Sequence, residues 1–208
     1  MEDLRQQLAA SLLGRLAIVG LGNLDHGDDG LGMHLLELLA DWANQARRDG
    51  HSVTLVPAGT LLERRLHELT GGRFDRVLFV DAVELRAPAG SATLLDRSAL
   101  KSVLPQISTH RISLSMAAEL IEASGTTRVT LLGVQPGSLR PGRELTAQVR
   151  ETVELLAEWI IGCDRPRDAA GRSGTDLAIQ VATKVSTGGA TKLATMGFSR
   201  MALGVSSV

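Results

Sequence analysis

The sequence predicts a single α/β domain, a three-layer sandwich with a twisted, mainly parallel sheet between helices. Short apolar runs alternate with segments of helical periodicity along most of the chain, which favours parallel strands connected by helices. A glycine-rich turn joins the first apolar run to the first long helical pattern. The chain has 208 residues, enough for one full core and hardly for two.

The first half of the chain supplies three strands. Before them, the N-terminal 14 residues have the spacing of a short amphipathic helix. Apolar runs followed by glycine, proline or aspartate predict strands over residues 15–19, 52–56 and 76–80. Repeated leucines on one face predict a long helix over 29–48, and a shorter helix over 61–69 is stopped by Gly71 and Gly72.

The second half supplies two more strands. Residues 91–95 alternate after a Pro–Gly turn, so they predict an edge or antiparallel strand, and 128–134 form a buried apolar run. Helical patterns cover 112–123 and 144–161. We expect the folded domain to occupy residues 1–162. Residues 163–208 are rich in small and polar residues, and we expect an extension that orders poorly, with one helix conceivable over 175–185.

Composition excludes several classes of function. The net charge of -1 and the 2% aromatic content provide neither the basic surface nor the stacking platform that nucleic acids require. No apolar run is long enough for a membrane helix, and the N-terminus has no signal-peptide pattern. A single cysteine, Cys163, excludes a disulfide framework and fits a reducing compartment. We expect a cytoplasmic monomer.

Acidic and imidazole side chains follow three of the predicted strands. Asp28 and Asp29 follow the first strand, Asp81 ends the third, and His110 follows the loop before the 112–123 helix. The carboxyl ends of parallel strands share one edge of a sheet, where ligands bind. Two carboxylates and one imidazole with open positions suit a divalent metal. The sequence therefore predicts a cation site at this edge.

Each of these residues also has a purely structural interpretation. Asp28 or Asp29 could cap the first long helix, and for Asp28 a cap is favoured over a metal ligand. Asp81 is explained equally well as an acceptor for loop amides, and a lone histidine such as His110 is more often a surface residue than a ligand. His26 and Asp25 are weaker site candidates in the same turn. These interpretations explain each position separately, but they do not explain why the positions fall at one edge.

A dinucleotide site is disfavoured because the sequence lacks two residues that the dinucleotide-binding motif requires. Gly20 and Gly22 follow the first strand as in the dinucleotide fingerprint, but Asp25 stands where a third glycine belongs. The second strand ends at Val56 with no acidic residue to hold a ribose.

Four segments together resemble the hydrogenase maturation endopeptidases, the nickel-dependent proteases that process the C-terminus of nickel–iron hydrogenase large subunits. The matching segments are residues 20–32, 80–82, 108–110 and 133–139. The resemblance covers about residues 15–161. It implies an α/β domain and a metal-contacting set that corresponds to Asp29, Asp81 and His110.

The resemblance also implies a mechanism. Aspartate and imidazole ligands alone do not select nickel, so we expect the hydrogenase precursor to carry the metal and the three residues to complete its coordination, although other divalent metals can occupy such a site. Docking on nickel would then place the scissile bond for attack by water, with Asp81 or Asp28 as general base.

One departure from the family pattern affects the predicted activity. Many members carry an acidic residue before the glycine that follows the second strand, where this chain has Pro57 and Ala58. A non-catalytic chaperone that binds metal or precursor is therefore the alternative function, and a nucleotide-dependent oxidoreductase is the less favoured one.

Overall fold

The computed structural model describes residues 4–49, 51–103 and 113–163. The strands are β1 Leu16–Leu21, β2 Val53–Gly59, β3 Arg76–Ala82, β4 Ala92–Asp96 and β5 Arg128–Val134. The helices are α1 Leu4–Ser11, α2 Leu31–Arg48, α3 Leu66–Leu69, α4 Arg97–Val103, α5 Leu114–Glu122 and α6 Ala147–Cys163. Two 3₁₀ turns, Gly27–Gly30 and Leu62–Arg64, precede α2 and α3.

The five strands form one sheet in the order β2-β1-β3-β5-β4. All neighbours are parallel except β4, which pairs antiparallel with β5 at the edge, as the sequence predicts. Gly20 of β1 is in register with Val80 of β3, and Asp81 is in register with Gly133 of β5. The carboxyl ends of β1, β3 and β5 therefore lie side by side.

Helices cover both faces of the sheet, which confirms the three-layer α/β architecture. Leu16 and Ile18 of β1 pack into a core with α1, α2 and α6, whereas Ala17 and Val19 pack into a second core with α3, α4 and α5. Successive side chains of a strand point to opposite faces, so a strand buried on both sides is apolar throughout.

Glycines allow α2 to lie very close to the sheet. A Cβ on Gly32 would stand 2.4 Å from the carbonyl oxygen of Val80, and one on Gly20 would stand 2.6 Å from the carbonyl oxygen of Gly32. The first turn of α2 therefore rests directly on β1 and β3, just before the strands end. Residues 22–30, which join β1 to α2, are called the acidic turn, and this contact fixes where the turn lies relative to the carboxyl ends of the strands.

The structure corrects several predicted boundaries. Pairing with neighbours carries β1 two residues further, to Leu21, and carries β3 past Asp81 to Ala82. β2 continues through Pro57, which the sequence treats as its limit, to Gly59. The predicted 61–69 helix is divided into a 3₁₀ turn and α3, and α6 begins at Ala147.

One helix was not predicted. The segment Arg97–Val103 forms α4, which is too short for its apolar positions to display a helical period. The predicted extension from 164 onward, with its conceivable helix at 175–185, lies outside the described residues, so the proposed boundary at 162 stays a prediction. In the described ranges, no helix combines the length and apolar character needed to cross a bilayer.

Candidate functional site

The acidic turn after β1 holds Asp29 at the carboxyl edge of the sheet. Gly22 adopts a φ of 100°, and a Cβ there would stand 1.7 Å from the carbonyl oxygen of Asp29, so only glycine fits. The backbone N–H of Asn23 donates to Oδ2 of Asp29 at 2.7 Å, and the N–H of Asp29 donates to the carbonyl of His26. The half-buried Asp29 carboxylate is thus held from its own turn, and the described residues offer no donor to its Oδ1.

Asp81 lies at the end of the adjacent strand. It is the penultimate residue of β3 and only 8% exposed, and its Oδ1 accepts a hydrogen bond from the N–H of Ala82 at 2.9 Å. β1 and β3 are parallel neighbours, and the 3₁₀ turn that contains Asp29 packs against β3. The structure therefore brings Asp29 and Asp81 to the same edge of neighbouring strands, as predicted.

Asp28 does not cap the first long helix. Gly30 is the N-cap of α2, and no side-chain hydrogen bond caps the helix there. Asp28 is 0% exposed, and its carboxylate accepts hydrogen bonds from the segment after β5. Oδ2 accepts from the N–H groups of Gly137 and Ser138, at 2.8 and 2.9 Å, and from the hydroxyl of Thr146 at 2.9 Å. Oδ1 accepts from the Thr146 N–H at 2.7 Å, just before α6 begins.

The segment after β5, residues 135–146, bridges the loops that follow β1 and β3. Backbone hydrogen bonds join it to the acidic turn, from Gly27 to Gly142 and from Asp28 to Ser138. On the other side, Oε1 of the buried Gln135 accepts from the N–H of Leu85 at 2.6 Å. We call residues 135–146 the bridging loop. Sequence reasoning missed this role, although the segment 133–139 was among the four that carried the resemblance.

The weaker candidates in the acidic turn make structural contacts. Asp25 is exposed and forms an ion pair with Arg143 at 3.3 Å. The exposed His26 forms an isolated β-bridge with Gly142. Both contacts fasten the acidic turn to the bridging loop.

His110 lies outside the described residues, so its predicted approach to the two aspartates stays a prediction. Among the residues that the structure describes, no three histidine, cysteine, aspartate or glutamate side chains converge as a metal site. A cation bound at this edge would take carboxylate oxygens from Asp29 and Asp81, and its third ligand would have to come from outside the described residues. Oxygen donors of this kind suit a divalent cation that is already partly coordinated.

The arrangement of the turn is unfavourable for a dinucleotide. In a phosphate-binding turn, the N–H groups after the first strand face the ligand. Here the N–H of Asn23 donates to Asp29, and that carboxylate would repel a phosphate.

Comparison with known proteins gives a consistent result. The family model described as hydrogenase maturation protease, HycI, matches residues 33–163, a span that contains Asp81 and His110 and begins after Asp29. The hydrogenase 2 maturation protease of Escherichia coli K12 is 25% identical over 155 residues, 73% of this chain and 91% of that protein.

Solved structures share the fold. The crystal structure of the NiFe hydrogenase maturation protease HycI from Thermococcus kodakarensis KOD1 superposes with a TM-score of 0.65 at 28% identity, covering 76% of this chain and 97% of that one. The hydrogenase maturating endopeptidase HybD from Escherichia coli has a TM-score of 0.58 at 23% identity, covering 70% and 89%.

Proposed function

The chain belongs to the hydrogenase maturation protease family, and we propose that it is an endopeptidase that removes the C-terminal peptide from a nickel-loaded hydrogenase large-subunit precursor. Nickel is part of the substrate in this proposal. Asp29, Asp81 and His110 complete its coordination, and the enzyme thereby tests whether the precursor has been loaded before it cuts.

The observation that carries this proposal is the placement of Asp29 and Asp81. They are far apart in sequence, yet Asp29 lies in the turn that follows β1 and Asp81 lies at the end of β3, the parallel neighbour of β1. The acidic turn is held to the bridging loop by hydrogen bonds, so the Asp29 carboxylate is preorganised. Two fixed carboxylates favour a cation and cost little reorganisation when one arrives.

Asp28, Asp29 and Asp81 have different roles in the proposed hydrolysis. Asp29, with Oδ1 open among the described residues, is suited to contact the metal of the substrate. Asp28 is unsuited as a general base because its two oxygens accept four hydrogen bonds and it is 0% exposed. We therefore assign the base to Asp81. Water adds to the scissile carbonyl carbon, its proton passes through Asp81 to the leaving amine, and the C–N bond breaks.

The decisive experiment compares two forms of one precursor. Full-length protein is mixed with nickel-loaded or nickel-free large-subunit precursor, and the products are weighed by mass spectrometry. We expect release of a C-terminal peptide from the loaded form alone. Cleavage of the nickel-free form at the same rate would contradict recognition through nickel. Binding of the loaded precursor without cleavage would show a chaperone and refute the peptidase assignment.

A further inference from the structure

Asp28 has an environment that a carboxylate rarely occupies. It is fully buried, and every donor that the structure records for it is a neutral N–H or O–H group. A buried anion is costly to desolvate, and apolar side chains of similar volume usually stabilise a fold at least as well. Four donors on two oxygens compensate the burial, but they also fix the carboxylate in one position. Such a group specifies geometry more effectively than it adds stability.

The donors to Asp28 come from the bridging loop, 109 to 118 residues further along the chain. Backbone hydrogen bonds also join the acidic turn to the bridging loop, at residues on both sides of Asp28 and at Asp28 itself. The N–H of Gly27 donates to the carbonyl of Gly142 at 2.6 Å, the N–H of Asp28 to that of Ser138 at 3.0 Å, and the N–H of Gly142 to that of Asp25 at 2.9 Å. The acidic turn and the bridging loop are therefore held as one unit.

Asp29 is the next residue in the same 3₁₀ turn, so its position depends on this unit. Its carbonyl oxygen lies against Gly22, and its Oδ2 accepts from Asn23. A shift of the Asp28 backbone would move Asp29 relative to β3 and Asp81. Misplacement of a reacting group by about 1 Å can cost two orders of magnitude in rate.

We propose that Asp28 is a positioning residue, whose buried carboxylate ties the acidic turn to the bridging loop and so sets the position of Asp29 for hydrolysis. This inference rests on the proposed function. It predicts that loosening the Asp28 contacts lowers kcat in protein that is still folded.

Thr146 offers the mildest way to loosen these contacts. Thr146→Val removes the hydroxyl that donates to Asp28 and keeps the shape of the side chain, whereas Thr146→Ser keeps the hydroxyl. Thr127→Val is the matched control. The buried Thr127 hydroxyl donates to the carbonyl of Phe74 at 2.7 Å, at the opposite edge of the sheet.

Kinetics on nickel-loaded precursor are measured with the full chain at a temperature where circular dichroism shows each variant folded. We expect Thr146→Val to lower kcat about tenfold with KM changed by less than about twofold, and Asp28→Asn to lower kcat about a hundredfold. Thr146→Ser should restore kcat, and Thr127→Val should leave it unchanged. Equal kcat in Thr146→Val and Thr127→Val would overturn the inference, even if Asp28→Asn fails to fold.

Amide hydrogen exchange separates failure of this inference from failure of the proposed function. In Thr146→Val, but not in Thr127→Val, exchange in residues 22–30 should become faster. If the wild-type chain cleaves no precursor, the proposed function fails, and this exchange pattern still decides whether Asp28 positions the acidic turn. Unchanged exchange in that turn would refute the positioning role.

Discussion

Two aspartates join segments that are remote in sequence, one at each end of the parallel strands, and they do so in different ways. At the amino edge, Asp75 precedes β3 and accepts from the backbone N–H and the guanidinium of Arg15, with closest distances of 2.8 Å. Both side chains of this ion pair are at least 40% exposed. At the carboxyl edge, Asp28 is fully buried and accepts from neutral groups of the bridging loop.

The two aspartates differ in whether a cationic side chain neutralises their negative charge. The Arg15 guanidinium neutralises Asp75, and the hydrogen bonds from Arg15 lower the Asp75 pKa to about 2. Among the described residues, no cationic side chain forms an ion pair with Asp28 or Asp29. The charge of Asp75 is therefore balanced by its neighbour, whereas the charge of Asp28 and Asp29 has no such partner and would favour the cation that the proposed function requires.

The largest effect is expected from removing one charge at the carboxyl edge. Asp29→Asn and Asp81→Asn should each lower precursor cleavage by about a hundredfold or more, because each loses a ligand or base that the reaction requires. His110→Ala should do the same if the predicted triad is right. The release of the C-terminal peptide, followed by mass spectrometry, measures each effect.

Asp75→Asn is the matched control for these variants. It removes an equivalent charge at the amino edge, and we expect wild-type cleavage. The triad assignment is wrong if Asp81→Asn or His110→Ala processes the precursor fully while remaining folded.

A smaller effect is expected from the glycines. Gly22→Ala places a Cβ 1.7 Å from the carbonyl oxygen of Asp29 and forces a φ of 100° on alanine. We expect a loss of about 3 kcal/mol or more in the free energy of unfolding, from strain and overpacking together. Gly71→Ala also adopts a positive φ but meets nothing within 4 Å, so about 1–2 kcal/mol is expected.

Urea denaturation measures both glycine variants. The comparison isolates the close approach of the acidic turn, because the backbone strain is common to both positions. Equal losses of unfolding free energy in the two variants would show that the acidic turn moves to accommodate the added Cβ. That result would refute a rigid acidic turn.

The smallest effect concerns Asp75. Its pKa is lowered from 3.8 to about 2, first by the side-chain hydrogen bond from Arg15 and then by the Arg15 backbone N–H. Because the folded pKa lies below the unfolded one, the ionised carboxylate stabilises the fold above about pH 4, and this contribution is lost as the pH falls towards 2. Exposure to solvent keeps the contribution small.

Urea titrations of wild type and Asp75→Asn from pH 6 to about pH 2 provide the measurement. The stability difference between them should be constant above about pH 5 and shrink below pH 4. A difference that is independent of pH over this range would contradict the ionic role of Asp75.

The sequence was sufficient to predict the sheet and its edge. Strand 128–134 was predicted with its observed bounds, and the antiparallel edge strand was predicted within a residue. Both patterns are local, since a buried strand is apolar throughout and an edge strand alternates. The extended ends of β1 and β3 could not be predicted, because they depend on pairing with strands remote in sequence.

The position of Asp29 and Asp81 at one edge was also determined by the sequence, because parallel strands that alternate with helices have their carboxyl ends on the same side. The contacts of Asp28 were decided by tertiary structure alone. An aspartate before a helix normally caps that helix, and nothing nearby in the chain distinguishes this one. Its donors lie more than a hundred residues away, and only the folding of β5 beside β3 brings them within hydrogen-bonding distance.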